Sequence, residues 1–322
     1  MPNFSKLRLK EKLVNSYSIR NSKCSSLVAK KVETYSANWE ELIAARINSG
    51  EPLLFGRLGG LEAHCLGIWL DSQHMFKSPI RYSHAKIFRN KRFKQLQNNA
   101  GVYPQSKEVF EFFCKEQLLA ISTMDIFSVW AQPFAWVESL ALQNEDSIFV
   151  SGYGSFPWLE PRDKESTLGW GAALEGKRVL VISPFVDSIA YQVPQLDKIF
   201  SNLTVPKIDF LYLRAPMTQG GISDGKTFID HLVELKQKVS EVDFDVALIS
   251  AGAYSLPIAA HAKSIGKIGI HAGGALQIFF GINGQRYETY PEVTRHINSF
   301  WKRPYEHERP ENWRSIEDGC YW

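Results

Sequence analysis

The chain has 322 residues, 44% of them hydrophobic and 22% charged, which is enough apolar surface for a sizeable core and excludes wholesale disorder. Its 22 glycines and 15 prolines are dispersed, so collagen-like and linker-dominated architectures are excluded as well. The formal charge is +3 but unevenly placed. From Ser72 to Lys107 there is no acidic residue, while Lys77, Arg81, Lys86, Arg89, Lys91, Arg92, Lys94 and Lys107 are basic, leaving 29 positive against 34 negative residues elsewhere. Such a surface suits anionic partners, or else it is a solvated helix face with no ligand.

The opening MPNFSKLRLKEKLV carries basic residues with no apolar stretch behind them, so it does not read as a secretory leader. No run of about 18 apolar residues occurs, which argues against a spanning helix. Cys24, Cys65, Cys114 and Cys320 lie far apart and form no C-x-x-C pair, against a zinc ribbon or redox motif. A soluble, cytoplasmic protein is expected, organised as one α/β domain over 1–322.

In chain order, residues 1–50 read as a helical flank ending at Gly50. EPLLFGRLGG is a short strand (Leu53 to Phe55) breaking into a glycine turn, and LEAHCLGIWL resumes helical spacing. Residues 72–150 read as a mostly helical insertion, with helices in KEVFEFFCKEQLLAIS and SVWAQPFAWVESLAL. The pattern is clearest over 177–285. There, the strands KRVLVIS, KIDFLYL, DFDVALIS and KIGIHAGG alternate with amphipathic helices, and residues 286–322 follow as a tail. Continuous apolar strands separated by helices predict a doubly wound, mostly parallel, Rossmann-like sheet covered on both faces. A first strand at Leu53 would make the sheet shared across the chain.

Ligands of such sheets lie beyond the carboxyl ends of the strands. Four loops therefore qualify: 56–62, 183–188, 214–221, and 250–255 together with 271–274. All are rich in glycine or small hydroxyl residues, which permit close backbone approach to phosphate. No G-x-G-x-x-G follows the first strand, and there is no P-loop, G-x-S-x-G or H-E-x-x-H, which disfavours the common nucleotide-cofactor, ATPase and hydrolase readings. The candidates are Arg57 for phosphate or a surface ion pair, and Glu62 as a base or as an acid complementing its helix dipole. His271 is either catalytic or structural, and Tyr254 either stacks on a ring or packs in the core. Asp187 and Gln192 follow a strand and are placed to read ribose or base, and Ser183, Gly59, Gly60, Gly252, Gly273 and Gly274 are further candidates for binding substrate.

FGRLGGLEAHCL is similar to the R-F-G-D-G-E signature of the GT-D-fold bacterial glycosyltransferases. SAGAYSLPIAAHAKSIGKIGIHAGG resembles that group's closing pattern of Gly-rich loop, apolar helix, strand and terminal turn. The resemblance covers scattered positions in about 50–70 and 177–285. It implies transfer of a sugar from a nucleotide-activated donor to a glycan or lipid-linked acceptor in surface-polysaccharide synthesis, with no nucleic acid as partner. Arg57 matches the signature arginine, Gly59 its glycine and Glu62 its final glutamate. The family's metal-associated Asp-x-Glu falls on Gly60-Leu61-Glu62, without the aspartate. Either Glu62 acts alone as base or metal ligand, or another residue substitutes, or the protein needs no divalent metal such as Mn or Mg. The other expectation is a non-catalytic α/β protein binding a nucleotide or phosphoglycan, with a hydrolase or phosphotransferase as a third. The acid-free segment 72–107 would dock on an anionic membrane or lipid-linked acceptor, with Phe76, Tyr82, Phe88, Phe93 and Tyr103 entering the interface or packing inward.

Overall fold

The computed structural model describes residues 23–32, 39–73, 79–129, 135–143, 146–151, 169–201, 205–221 and 224–322, and the statements below concern these. Its first half contains α1 (23–32), α2 (Trp39–Ser49), β1 (Leu53–Gly56), α3 (Gly60–Ser72), α4 (Pro79–Ala100), α5 (Lys107–Ser122), β2 (Ile126–Val129), α6 (Ala135–Glu138) and β3 (Ile148–Ser151). The second half contains β4 (Arg178–Ser183), α7 (Val186–Gln192), α8 (Leu196–Ile199), β5 (Asp209–Arg214), α9 (Phe228–Glu241), β6 (Val246–Ile249), α10 (Ser255–Ser264), β7 (Ile268–His271), α11 (Ala275–Phe279) and α12 (Pro291–Thr294).

All seven strands are parallel, in the order β3-β2-β1-β7-β6-β4-β5. The sheet is indeed shared across the chain, because β1 pairs with β2 on one side and with β7 on the other. Alternation along each strand divides the interior into two cores. Leu54, Phe127, Phe149, Leu180 and Ile249 face α3, α5, α9 and α10, whereas Leu53, Phe55, Val181, Leu248 and Ile270 face α2, α11 and the turn Trp170–Leu174. Phe55 meets Trp170 edge-on at 6.3 Å between ring centroids, tying β1 to the chain that enters β4.

Two expectations need correction. Segment 72–150 is not simply a helical insertion, since it supplies β2 and β3, which extend the sheet outward from β1. Both strands are four-residue apolar runs (IFSV and IFVS), and a run that short carries no period to separate strand from helix. Residues 286–322 are more than a tail: their short turns fold back over the carboxyl edge of the sheet and are hydrogen-bonded there, with Arg286 N donating to Cys320 O at 2.9 Å and Gln277 Nε2 to Tyr321 O at 2.9 Å. Of the helical flank, 23–32 and Trp39–Ser49 are helical, while 1–22 and 33–38 lie outside the described residues. No described helix is long and apolar enough to cross a membrane.

Strand order reverses around β1 and β7. From β1 the chain moves outward to β2 and β3, and it later returns inward from β5 through β6 to β7. The loops after β1 and β7 therefore diverge and leave a crevice between them. Gly56 permits the close pairing at its mouth, since a Cβ there would stand 3.0 Å from Leu256 Cδ1 and 3.1 Å from His271 Cβ.

Candidate functional site

A cavity of about 700 Å³ occupies that crevice. Its floor is made by the loops after β1 (Arg57, Gly59, Gly60), β6 (Ser250, Gly252) and β7 (His271, Gly273, Gly274), and one wall by Arg286, Tyr287, Glu317, Tyr321 and Trp322 of the returning chain.

Glu62 lies in the first turn of α3, three residues after the N-cap Gly59. Its carboxyl group folds back over that glycine, so a Cβ at Gly59 would come within 2.7 Å of Glu62 Cδ. The carboxyl is partly buried, and burial pushes its pKa up to about 7. The negative charge of Glu317 adds to the rise, while the residue's own backbone amide and the Arg57 charge oppose it.

His271 closes β7, and its Nδ1 lies 2.9 Å from the carbonyl oxygen of Arg57. That acceptor requires the proton on Nδ1, which leaves the lone pair on Nε2. Burial and then the neighbouring Arg57 charge push the imidazole down to about 3, so the ring is neutral at physiological pH. Gly273, at φ 57°, brings the chain past these groups: a Cβ there would lie 3.5 Å from His271 Nε2 and 3.6 Å from Arg57 Nη2.

The opposite wall is held by a network. Arg286 Nη2 donates to Glu317 Oε2 at 2.7 Å, Tyr321 Oη donates to the same oxygen at 2.9 Å, and the Arg286 guanidinium lies 4.7 Å from the centre of the Tyr321 ring. Tyr287 Oη donates to the carbonyl of Gly274, and burial pushes this phenol up to about 12, keeping it a donor. Glu317 and Asp318 have φ of 47° and 56°, a left-handed conformation that ordinary side chains avoid. Together with Gly319 at φ 74°, they turn the chain sharply enough to aim the Glu317 carboxylate at Arg286. Gln219 also lines the cavity, and its Oε1 is buried without a hydrogen-bond partner among the described residues.

The fold thus gathers Arg57, Gly59, Gly60, Glu62, Gly252, His271, Gly273 and Gly274. Four other candidates stand elsewhere. Ser183 is buried, and its Oγ accepts from Phe185 N at 3.1 Å to shape the turn after β4. Asp187 pairs outside the cavity with Arg214 at 2.6 Å and His307 at 2.7 Å, and those partners hold its carboxyl below the usual range. Gln192 Nε2 donates to Gly281 O at 3.1 Å and Phe300 O at 3.0 Å, so it is structural. Tyr254 packs in the core, stacked on Phe228 with centroids 4.6 Å apart and its hydroxyl 3.1 Å from Thr218 Oγ1. Arg286, Glu317, Tyr321 and Gln219 were not expected. The sequence signal for three of them was a charge-and-aromatic cluster, Arg286-Tyr287 and the closing IEDGCYW, in a region without period.

The donor set does not suit a divalent metal. The cavity is lined by the carboxylates of Glu62 and Glu317, and Glu317 is committed to Arg286 and Tyr321. Among the described residues one group brings three metal-type ligand atoms within 4.8 Å, Asp187, His307 and Glu308. It lies outside the cavity, and Arg214 already supplies its cation, 2.6 Å from Asp187 and 3.6 Å from Glu308.

Comparison with protein-family models, curated proteins and solved structures finds no match to this chain.

Proposed function

We propose that the cavity binds a nucleotide-activated sugar and that the protein is a glycosyltransferase. The observation that carries this reading is the Glu62 carboxyl group, poised near neutrality at the rim of a 700 Å³ crevice that also presents Arg57 and the Nε2 lone pair of His271. The volume is in the usual range for small-molecule sites. In the transfer, the acceptor oxygen bonds to the anomeric carbon of the sugar and its proton passes to a Glu62 Oε. The bond from that carbon to the diphosphate breaks, its electron pair leaves on the phosphate oxygen, and Arg57 stabilises that charge. His271 Nε2 accepts a hydrogen bond from a sugar hydroxyl, and the unpaired Gln219 Oε1 accepts one from the ribose or base. The acceptor is a glycan or a lipid-linked saccharide, in keeping with the exposed Arg89, Lys91 and Lys94 on α4.

Gly60 in place of an acidic residue favours a second reading, a protein that binds the same ligand without turning it over. Calorimetric titration with a panel of nucleoside diphosphates and sugar nucleotides, with donor hydrolysis assayed in the same samples, separates the two. Binding together with hydrolysis or transfer is expected. Binding without turnover on any donor and acceptor supports the second reading, and no binding at all removes both.

A further inference from the structure

Two guanidinium groups from distant parts of the chain flank the turn Gly273–Gly274. The space a Cβ would take at Gly273 is 3.6 Å from Arg57 Nη2, and the space it would take at Gly274 is 3.0 Å from Arg286 Nη1. Neither glycine puts a side chain between these donors and the cavity. Arg286 cannot swing away, because Glu317 holds its Nη2, Tyr321 Oη lies 3.4 Å from its Nη1, and the Tyr321 ring lies beneath the plane. Arg57 comes from the sheet side, in the turn between β1 and α3. Burial lowers the Arg57 pKa, and the Arg286 charge adds to that effect, so the two cations repel one another beside this turn. A ligand with two negative charges spread over adjacent groups relieves that opposition, and guanidinium forks match phosphate oxygens two at a time.

We propose that Arg57 and Arg286 bind the diphosphate of the donor between them over Gly273–Gly274, in the role a divalent cation would otherwise fill. This rests on the cavity being a sugar-nucleotide site, and it names the cations of that site. Glu317 is then a positioning residue: it aims Arg286 and does not touch the ligand.

The test uses inorganic pyrophosphate, which carries the recognised group without sugar or base, titrated calorimetrically into the whole protein in EDTA. Pyrophosphate is expected to bind without metal and more tightly than orthophosphate. Losing one charge-assisted pair should weaken it by about 10- to 100-fold in Arg286→Gln, and similarly in Arg57→Gln. Glu317→Gln should weaken binding less and make it more dependent on salt. Should Arg57→Gln fail to fold, Arg57→Lys keeps the charge and removes the fork, and a several-fold loss is still expected. Pyrophosphate binding only when Mn²⁺ is added, or unchanged binding in Arg286→Gln, overturns the proposal. Pyrophosphate binding that is metal-free and arginine-dependent, in a protein that transfers no sugar, would sustain the arginine pair and overturn glycosyl transfer. Mn²⁺-dependent transfer that is indifferent to Arg286 would do the reverse.

Discussion

Glu62 carries a proton in the folded chain at pH values where a free glutamate has lost it, and the sign of that shift has two consequences. Its pKa rises from 4.5 to about 7, so between these values the folded state holds a proton that the unfolded state releases. Stability from this group is complete below about pH 4.5 and is lost as pH climbs through 7, by about 3 kcal/mol in all. Glu62→Gln, which keeps the shape without the charge, is therefore expected to melt above the wild type at pH 8 and level with it near pH 4. A calorimetric scan at the two pH values checks this. Catalysis runs the other way, because a base must be ionised. kcat/KM should rise with pH through about 7, and Glu62→Gln should fall by about 100-fold or more while still binding donor. His271 is neutral down to about pH 3 and adds no second inflection to that profile. Arg57, Glu62 and His271 were legible as candidates because each sits at a strand end marked by glycines or within six residues beyond one. Arg286 and Glu317 were not, since only the fold-back of an aperiodic segment brings them into the cavity that Glu62 lines.

At the scale of elements, the contact between α10 and β7 is the tightest test of the packing. Gly269 sits in the middle of β7 with α10 pressed on it, and a Cβ there would come within 2.8 Å of Ala259 Cα. This obstacle is backbone and cannot rotate aside. Gly269→Ala should destabilise the protein by about 2–3 kcal/mol, read as a lower denaturant midpoint at unchanged slope. It should also weaken pyrophosphate binding, because β7 carries His271 and the glycine turn. Most of these elements could be read from the sequence. DFDVALIS and KIGIHAGG are apolar runs bounded by turns, and KEVFEFFCKEQLLAIS begins at a Ser106 cap and stays helical through Ser122. β2 and β3 escaped because their four residues are as compatible with a buried helix turn as with a strand. Their identity is fixed by pairing with β1, which is a tertiary fact.

The largest charge asymmetry in the chain falls on α4, within the acid-free segment 72–107. On α4, Arg89, Lys91 and Lys94 are exposed and make no ion pair among the described residues, while Phe93 is buried against Phe110 with centroids 4.6 Å apart. Of the two expectations for these aromatics, interface or interior, Phe93 takes the interior. Tyr82 and Tyr103 are half-buried, and Phe76 and the Phe88 side chain lie outside the described residues. Attraction through charge alone should be strongly screened by salt. The protein is expected to float with anionic vesicles at low ionic strength and to release them at about 0.5 M salt, where the Debye length is only about 4 Å. Glutamate at Arg89, Lys91 and Lys94 together should abolish flotation and leave pyrophosphate binding intact. A wild type that stays at the bottom of the gradient would remove lipid as the partner of this face.

The order of strands also constrains how the chain is made. β7 is the last strand to leave the ribosome, yet it lies between β1, the first, and β6. Until Ile268–His271 emerges, β3-β2-β1 and β6-β4-β5 are two half-sheets, each with a naked edge where β7 belongs. Such edges recruit any strand that passes, including those of other nascent chains. A nascent chain halted before Ile268 emerges should therefore be protease-sensitive and dependent on a chaperone for solubility, and one halted once Phe279 has emerged should be protected. The residue that completes the sheet is His271, so the crevice and the sheet come into being in the same event.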